Sequence, residues 1–347
     1  MRFLVLSISL LCISQTLLGQ LNCERNLNEA RAAYASGNLY AIPGKLDECL
    51  TKGFSKNEKV EAYQLLALTY LNINQQDKAK ETLIKLLKIK TDYQVVKNVD
   101  PDELYSLYQS IETDPIYYVG IYTGGNYTFA TLPTSTDRFT TNSGEDDYNY
   151  EGDLSVNIGL EFMYPLSTVW LATGRIGYDA HRFNYTERNI GNVEGNNVTT
   201  VTYESINRAI NLGVGLRYMY KGYNYKPFME LSLIIRYNAS NRIADYTNTN
   251  RRETTDESGE NYSINEFRKA FNFGPGLDAG TMIKVGENYL SVSIGAHYFL
   301  ISETNYDNDN DRILNSLDSK QLIIEDNYQK FVVNFTIKFN MPFYNFK

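Results

Sequence analysis

Histidine, tryptophan and cysteine are scarce in this chain: two His, one Trp and three Cys among 347 residues. With no histidine near the cysteines and both His far away in sequence, the spacing of a usual structural zinc site is missing, and two imidazoles leave little material for proton-shuttling chemistry. Positive charge is also in deficit. With 33 Lys and Arg against 41 Asp and Glu, the formal net charge is -8, the wrong sign for a nucleic-acid partner. Beyond residue 20 no apolar run approaches the ~20 residues that a spanning helix needs. No glycine-rich phosphate cradle occurs either, because Gly213-Val-Gly215 and Gly274-Pro-Gly276 sit inside strand-like stretches where small residues ease packing. Nothing here calls for a cofactor or a metal.

What is present in excess is the phenol ring. The chain holds 29 Tyr and 16 Phe, a load that suits strands passing between apolar and wet surroundings. Residues 1–20 place Arg2 before an apolar run from Phe3 to Leu18 and a small Gly19, the layout of a secretory signal. Cys12 would leave with that signal. Asn22 stands where a lipobox wants a small residue, which argues against lipidation of Cys23. An even pair, Cys23 and Cys49, then remains in an oxidising compartment and predicts a disulfide, with two buried thiols as the alternative.

From Cys23 to Ile111 the apolar residues recur at three and four, the helical period. Ser55 and Glu58 form an S-x-x-E capping box at the head of the clearest helix. Tyr63, Leu66, Ala67 and Tyr70 line one face of it, and Ala79, Leu83 and Leu86 follow on a second helix after a turn. These spacings resemble the tetratricopeptide repeat, and Leu27, Ala30, Tyr34 and Gly37 resemble a shortened copy of it. The resemblance implies an all-α helical-repeat domain over residues 21–114. It also implies that Tyr63, Leu66 and Tyr70, with Lys78 and Lys85 of the next helix, bind a protein partner.

After Pro115 the period becomes two. In Leu154, Val156, Ile158, Leu160 and Phe162 the apolar residues occupy every second position, and seven further segments repeat the pattern, ending with Phe331 to Met341. Short turns alternate with long polar stretches near 130–151, 182–205, 241–266 and 302–328. That rhythm predicts an eight-stranded antiparallel transmembrane β-barrel over residues 115–347, its helical domain periplasmic and its long loops extracellular. Tyr118, Tyr164, Tyr220, Tyr225, Tyr289 and Tyr344 are expected in one aromatic girdle, and Tyr178, Tyr237 and Phe299 in the other. The last strand, taken to run to Lys347 with Phe346 near its end, resembles the aromatic terminal strand that such barrels present to their assembly machinery. The inward positions carry Glu161, Arg175, Asp179, Arg217, Glu230, Arg236, Asp278, Lys284 and Lys338. Charges of both signs predict a paired, filled lumen, since eight strands leave room only for side chains.

Catalytic constellations are not evident. His181 and His297 have no neighbouring nucleophile and orienting carboxylate at assignable positions, and read as lumen or rim residues. Asp307, Asp309, Asp311 and Asp318 approach a calcium-loop spacing, but Arg312 occupies the turn position that requires Gly. As a whole, the chain is similar to outer-membrane barrel proteins of Bacteroidetes-type bacteria with a short periplasmic helical-repeat domain. The resemblance implies a non-enzymatic accessory or scaffolding subunit of an outer-membrane complex, its partners being lipid and other outer-membrane or periplasmic proteins. A surface receptor or adhesin working through the long loops, and a small-solute channel, are the alternatives.

Overall fold

A computed structural model of the protein describes residues 22–131, 147–188, 199–220, 222, 224–250, 257–265, 268–303 and 328–347. The expected signal at 1–20 and the acidic stretch 307–318 lie outside the described residues. Two compact units result, one running to Pro115 and including Tyr344–Lys347, the other spanning Ile116–Phe343.

The first unit is helical. Helix α1 covers 22–35, a 3-10 turn covers Leu39–Ala41, and α2 (Ile42–Thr51), α3 (Lys56–Asn72), α4 (Gln76–Ile89) and α5 (Asp102–Gln109) follow. The capping box at α3 is complete: the Glu58 N–H donates to Ser55 Oγ, and the Ser55 N–H donates to Glu58 Oε2 at 2.7 Å. Cys23 and Cys49 are joined in a disulfide that ties α1 to α2. Closing a loop of that length stabilises such a unit by about 3 kcal/mol. Leu27, Ala30, Ile42, Leu46 and Leu66 form one core around this bridge, while Leu83, Leu86, Leu87, Leu104 and Ile111 form a second between α3, α4 and α5. Two helix pairs and one short helix are fewer than a self-standing repeat array uses.

The second core has a member from the far end of the sequence. Phe346 is 7% exposed and packs in that cluster, with its ring stacked on Tyr344. The expectation that the last strand runs to Lys347 is therefore corrected: the strand stops at Phe343, and residues 344–347 belong to the helical unit. Burying the Phe346 ring in the helical core gains on the order of 2 kcal/mol, which draws the chain off the barrel after Phe343.

The second unit is a closed antiparallel barrel. Its strands are β1 (Tyr117–Thr131), β2 (Asp147–Pro165), β3 (Trp170–Arg188), β4 (Thr199–Met219), β5 (Tyr225–Asn250), β7 (Phe271–Val285), β8 (Asn288–Tyr298) and β9 (Gln329–Phe343). Sequential neighbours pair throughout, and β1 closes on β9 from Tyr117↔Phe343 to Thr131↔Gln329. A short β6 (Glu257–Ser263) pairs only with the far part of β5, outside the ring of eight. Both ends of the barrel chain lie at one rim, the turn end, with the short connections after Pro165, after Met219 and at Gly286. Gly286 has φ +62, a left-handed value that a side chain would resist.

Strands β3, β4 and β5 run further than the apolar alternation indicates, through stretches expected to be loop. Thr199–Tyr203 pair with Tyr246–Asn250, so the ladder continues in Thr- and Asn-rich sequence. Backbone hydrogen bonds need no apolar face once partner strands are in register, which is why the hydrophobic pattern under-reads these strands.

Packing in the barrel is turned inside out. Leu154, Val156, Ile158, Leu160 and Phe162 are all exposed, Leu154 at 71%, as are Ile210, Leu212, Val214 and Leu216 on β4 and Phe335, Ile337, Phe339 and Met341 on β9. Glu161, Arg217, Arg236 and Lys338 are meanwhile buried. Water on the outside would make that distribution costly at roughly 25 cal/mol per Å² of apolar wall, whereas hydrocarbon favours it. No helix among the described residues is long and apolar enough to cross a membrane, and here the strands have the crossing surface. Tyr164, Tyr218, Tyr220, Tyr225 and Trp170 stand exposed around the turn end, and Tyr178, Tyr237 and Phe271 around the other. Tyr118, Tyr289 and Phe299, expected in the girdles, instead point inward, because their positions share the parity of the lumen set.

Candidate functional site

A concave feature stands out in each unit among the described residues. In the helical unit a groove of about 410 Å³ opens between α2, α3 and α4. Its wall from α3 is Tyr63, Leu66 and Tyr70, residues that a helical period of three and four stacks on one face. Lys78, Glu81, Thr82 and Lys85 face them from α4, and Asp47, Leu50 and Thr51 close the third side from α2. All five residues singled out for protein binding thus line one groove. Lys80 and Lys88, on the same helix, do not. Leu66 is only 5% exposed and forms floor, so the reachable surface is Tyr63, Tyr70 and the two lysines.

The chemistry of this groove is amphipathic. Burial, and secondarily the Asp47 carboxylate, push the Tyr63 and Tyr70 phenols above their usual range, so both remain neutral hydrogen-bonding groups at physiological pH. Lys78 Nζ lies 5.7 Å from the Tyr70 ring centroid, within cation–π range. Two lysines against Asp47 and Glu81 give alternating signs around an aromatic floor. Such a surface can hold an extended or helical peptide segment with mixed charge and one or two apolar anchors.

The barrel lumen is built in layers. Nearest the turn end, Tyr118, Met163, Leu171, Met219, Phe228, Met282 and Tyr289 form a buried apolar plug. Arg217 lies just above, its guanidinium carbon 4.3 Å from the Phe228 ring centroid. It donates through Nε to Glu230 at 2.7 Å and through Nη2 to Glu161 at 2.8 Å, while Lys338 Nζ donates to the same Glu161 oxygen at 2.7 Å. Arg175 bridges Glu230 and Asp278, at 3.1 Å from each, and also donates to Ser232. Three carboxylates and three cations here neutralise one another in a space that water reaches poorly, the condition under which buried ions are tolerable.

A second group lies further along. His181 Nε2 is 2.8 Å from Asp179 Oδ2, which also accepts from Asn211 at 2.6 Å, and Arg236 contacts the other imidazole nitrogen at 2.6 Å. Arg236 continues to Asn207, and Asn207 to Asn241. Between the two groups is a cavity of about 50 Å³ lined by Tyr122, Asn126, Asn157, Asn211, His297 and Asn334 among others. That volume suits a few water-sized molecules. Tyr122 can enter the lumen only because Gly159 and Gly177 face each other in the β2–β3 register, where a Cβ on either would overlap its phenol.

No family model matches the sequence, and no curated protein matches it. Among solved structures, the chain is similar to the outer membrane protein OprG from Pseudomonas aeruginosa, at 13% identity and a TM-score of 0.33, covering 67% of this chain and 98% of that one. It is also similar to Neisserial surface protein A, at 11% identity and a TM-score of 0.30, covering 64% and 95%. The attachment invasion locus protein of Yersinia pestis, Ail, aligns at 8% identity and a TM-score of 0.25, over 66% and 99%.

Eight of the nine inward charges read from the sequence meet in the two lumen groups. The ninth, Lys284, is half-buried near the turn end of β7, two positions beyond the Met282 of the apolar plug. A third charged group was not anticipated. Lys330 Nζ lies 3.4 Å from Glu303 Oε2, Glu303 accepts from Asn238 and Asn272 at 3.0 Å each, and Arg268 sits over the Tyr328 ring. Lys330 shares parity with Lys338 on β9, which is the signal that identifies it once the strand is known to start at Gln329. Neither histidine has a free imidazole face typical of a general base: His181 is held between Asp179 and Arg236, and His297 between Asp278 and Asn334. Among the described residues no group of His, Cys, Asp and Glu is arranged to hold a metal ion.

Proposed function

We propose that this protein is a non-enzymatic outer-membrane barrel whose helical domain, on the periplasmic side, docks a protein partner, making it an accessory or scaffolding subunit of an outer-membrane assembly. The observation that carries this reading is the groove of Tyr63, Tyr70, Lys78 and Lys85, which joins reachable aromatic anchors to a volume suited to a peptide segment. The α3–α4 pair resembles a tetratricopeptide repeat, and with so few helices it gains from a partner laid along it. The filled lumen favours anchoring over solute conduction, because plug and ion pairs occupy the space a diffusion path would need. Short turns at the rim where both barrel ends lie match the periplasmic side of outer-membrane barrels, and long connections the outside.

Site-specific photocrosslinking in the source cell tests the proposal. A photoreactive residue at Lys85 or Lys78 is expected to give a discrete adduct that a Tyr63→Ala/Tyr70→Ala background weakens at least tenfold, as loss of two aromatic anchors implies. A photoreactive residue at Lys88, on the same helix but off the groove, serves as control. Equal adducts at all three positions, or none at any, would reject groove docking.

A further inference from the structure

The outer wall of the barrel is apolar in its central band and changes character on three adjacent strands toward the loop end. Tyr178 on β3, Ile210 on β4 and Tyr237 on β5 form one registered, exposed row. Two positions further along β4 comes Arg208, which pairs with Ala180 on one side and Ser240 on the other. The row after that is Arg182, Ile206 and Arg242, so Ile206 is flanked by an arginine on each side. All three arginines are exposed, while their chain neighbours Asn207, Ala209, His181, Phe183, Asn241 and Ile243 are buried in the lumen; the guanidinium stems therefore leave from the outer wall. At a strand spacing of about 4.8 Å and a rise of about 3.3 Å per residue, the three stems start within roughly 10 Å of one another, one to two side chains beyond the tyrosine row. Acids stand beside Arg182, with Glu204 at 3.9 Å and Asp153 opposite it in the β2–β3 register, so the cationic side of the patch is Arg208 and Arg242.

This position is specific to a membrane boundary. Exposed Tyr beside an apolar band marks the level where hydrocarbon gives way to headgroups, and cations just past it meet whatever charge the headgroups carry. In a protein of net charge -8 a local concentration of arginine is not a by-product of composition. Arginine is also the side chain whose planar fork matches a phosphate with two parallel hydrogen bonds, and it stays charged at any physiological pH.

We propose that Arg182, Arg208 and Arg242 form a seat for the phosphate groups of an anionic membrane lipid in the leaflet at the loop end of the barrel. Ile206 supplies apolar contact between the arginines, and the band of Ile176, Tyr178, Ile210 and Tyr237 lies where the acyl chains of a lipid so held would run. The seat rests on the membrane reading of the barrel and is independent of what the helical groove binds.

The test uses the full-length protein in mild detergent, titrated with a diphosphorylated glycolipid and followed by native mass spectrometry. The same glycolipid stripped of phosphate, and inorganic phosphate as competitor, are the comparison arms. Retention of the phosphorylated lipid alone is expected. The triple variant R182Q/R208Q/R242Q is expected to weaken it on the order of a hundredfold, as removal of three cations beside a charged headgroup implies. A charge-keeping variant, R182K/R208K/R242K, should retain most of the binding. Heat-modifiable migration on gels confirms that each variant is folded. Equal retention by the Gln variant, equal retention of the dephosphorylated lipid, or displacement by millimolar inorganic phosphate would each overturn the seat, the last by making it a site for a free anion. Insertion of the wild-type protein into zwitterionic vesicles is scored separately, so failure of the membrane reading is told apart from failure of the lipid seat.

Discussion

The helical unit and the barrel solve the same problem with opposite surfaces. In the first, Leu27, Leu46, Leu83, Leu86 and Leu104 are inside and charge is outside. In the second, Leu154, Val156, Leu212, Val214 and Leu231 are outside, and Glu161, Arg217, Glu230 and Lys338 fill the centre. The rule is common to both, namely that apolar surface leaves water, and only the surroundings differ. What holds each unit together differs as a consequence. Removing one core side chain costs the helices packing energy, whereas the barrel interior depends on charge balance, in which each ion is tolerable only while its partners are present.

The strongest way to break that contrast is at Arg217, which has no exposed surface and satisfies Glu161 and Glu230 at once. Arg217→Ala leaves two buried carboxylates short of a partner, so the barrel should lose about 4 kcal/mol, read as a lower urea midpoint for heat-modifiable migration in detergent. Replacing Arg217 and Lys338 by Met together with Glu161 and Glu230 by Leu should recover much of the loss, because the remaining Arg175 and Asp278 are already paired with each other. If the single variant is as stable as the wild type, the lumen is not held by its ion pairs.

Phe346 tests the other side. Phe346→Ala removes a buried ring from the helical core and should cost about 3 kcal/mol, seen as faster proteolysis of the helical unit with the barrel's heat-modifiable migration unchanged. Loss of barrel folding instead would mean that Phe346 serves the last strand after all.

These two residues also show what the sequence could and could not convey. Arg217 was legible, because a strand fixes the direction of every second side chain, and a charge among Leu212, Val214 and Leu216 must point the other way. The same parity identifies Glu161, Arg175, Asp179, Glu230, Arg236, Asp278 and Lys338. Parity fails where register shifts, as between Asp153 and Asn157 or Arg208 and Ala209, and it says nothing of Glu303, which follows a strand end. The groove was half legible. Tyr63, Leu66 and Tyr70 share a helical face by spacing alone, but Asp47, Leu50 and Thr51 come from another helix, and only helix packing determines that they close the wall. Phe346 was misread because proximity to a strand in sequence is a poor guide once the strand has stopped, here at Phe343.

The smallest expected difference between the units lies in alkaline solution. Tyr93 belongs to the helical core, where burial first, then Asp100 and Tyr108, push its phenol up to about 12 from 10.0. The folded helical unit therefore holds the proton that an unfolded chain releases, so Tyr93's contribution is complete below pH 10 and fades as pH rises toward 12. Unfolding of the helical unit, followed by far-ultraviolet circular dichroism at 222 nm while the barrel is monitored by gel migration, should turn easier over that window. Tyr93→Phe should flatten the slope without lowering stability at neutral pH by more than about 1 kcal/mol, because the hydroxyl is replaced by nothing and the Tyr108 hydroxyl, which donates to the Tyr93 carbonyl at 3.2 Å, keeps its partner. A Tyr93→Phe protein with the wild-type alkaline slope would assign the effect to other tyrosines, Tyr63 and Tyr70 first, since burial raises them in the same direction.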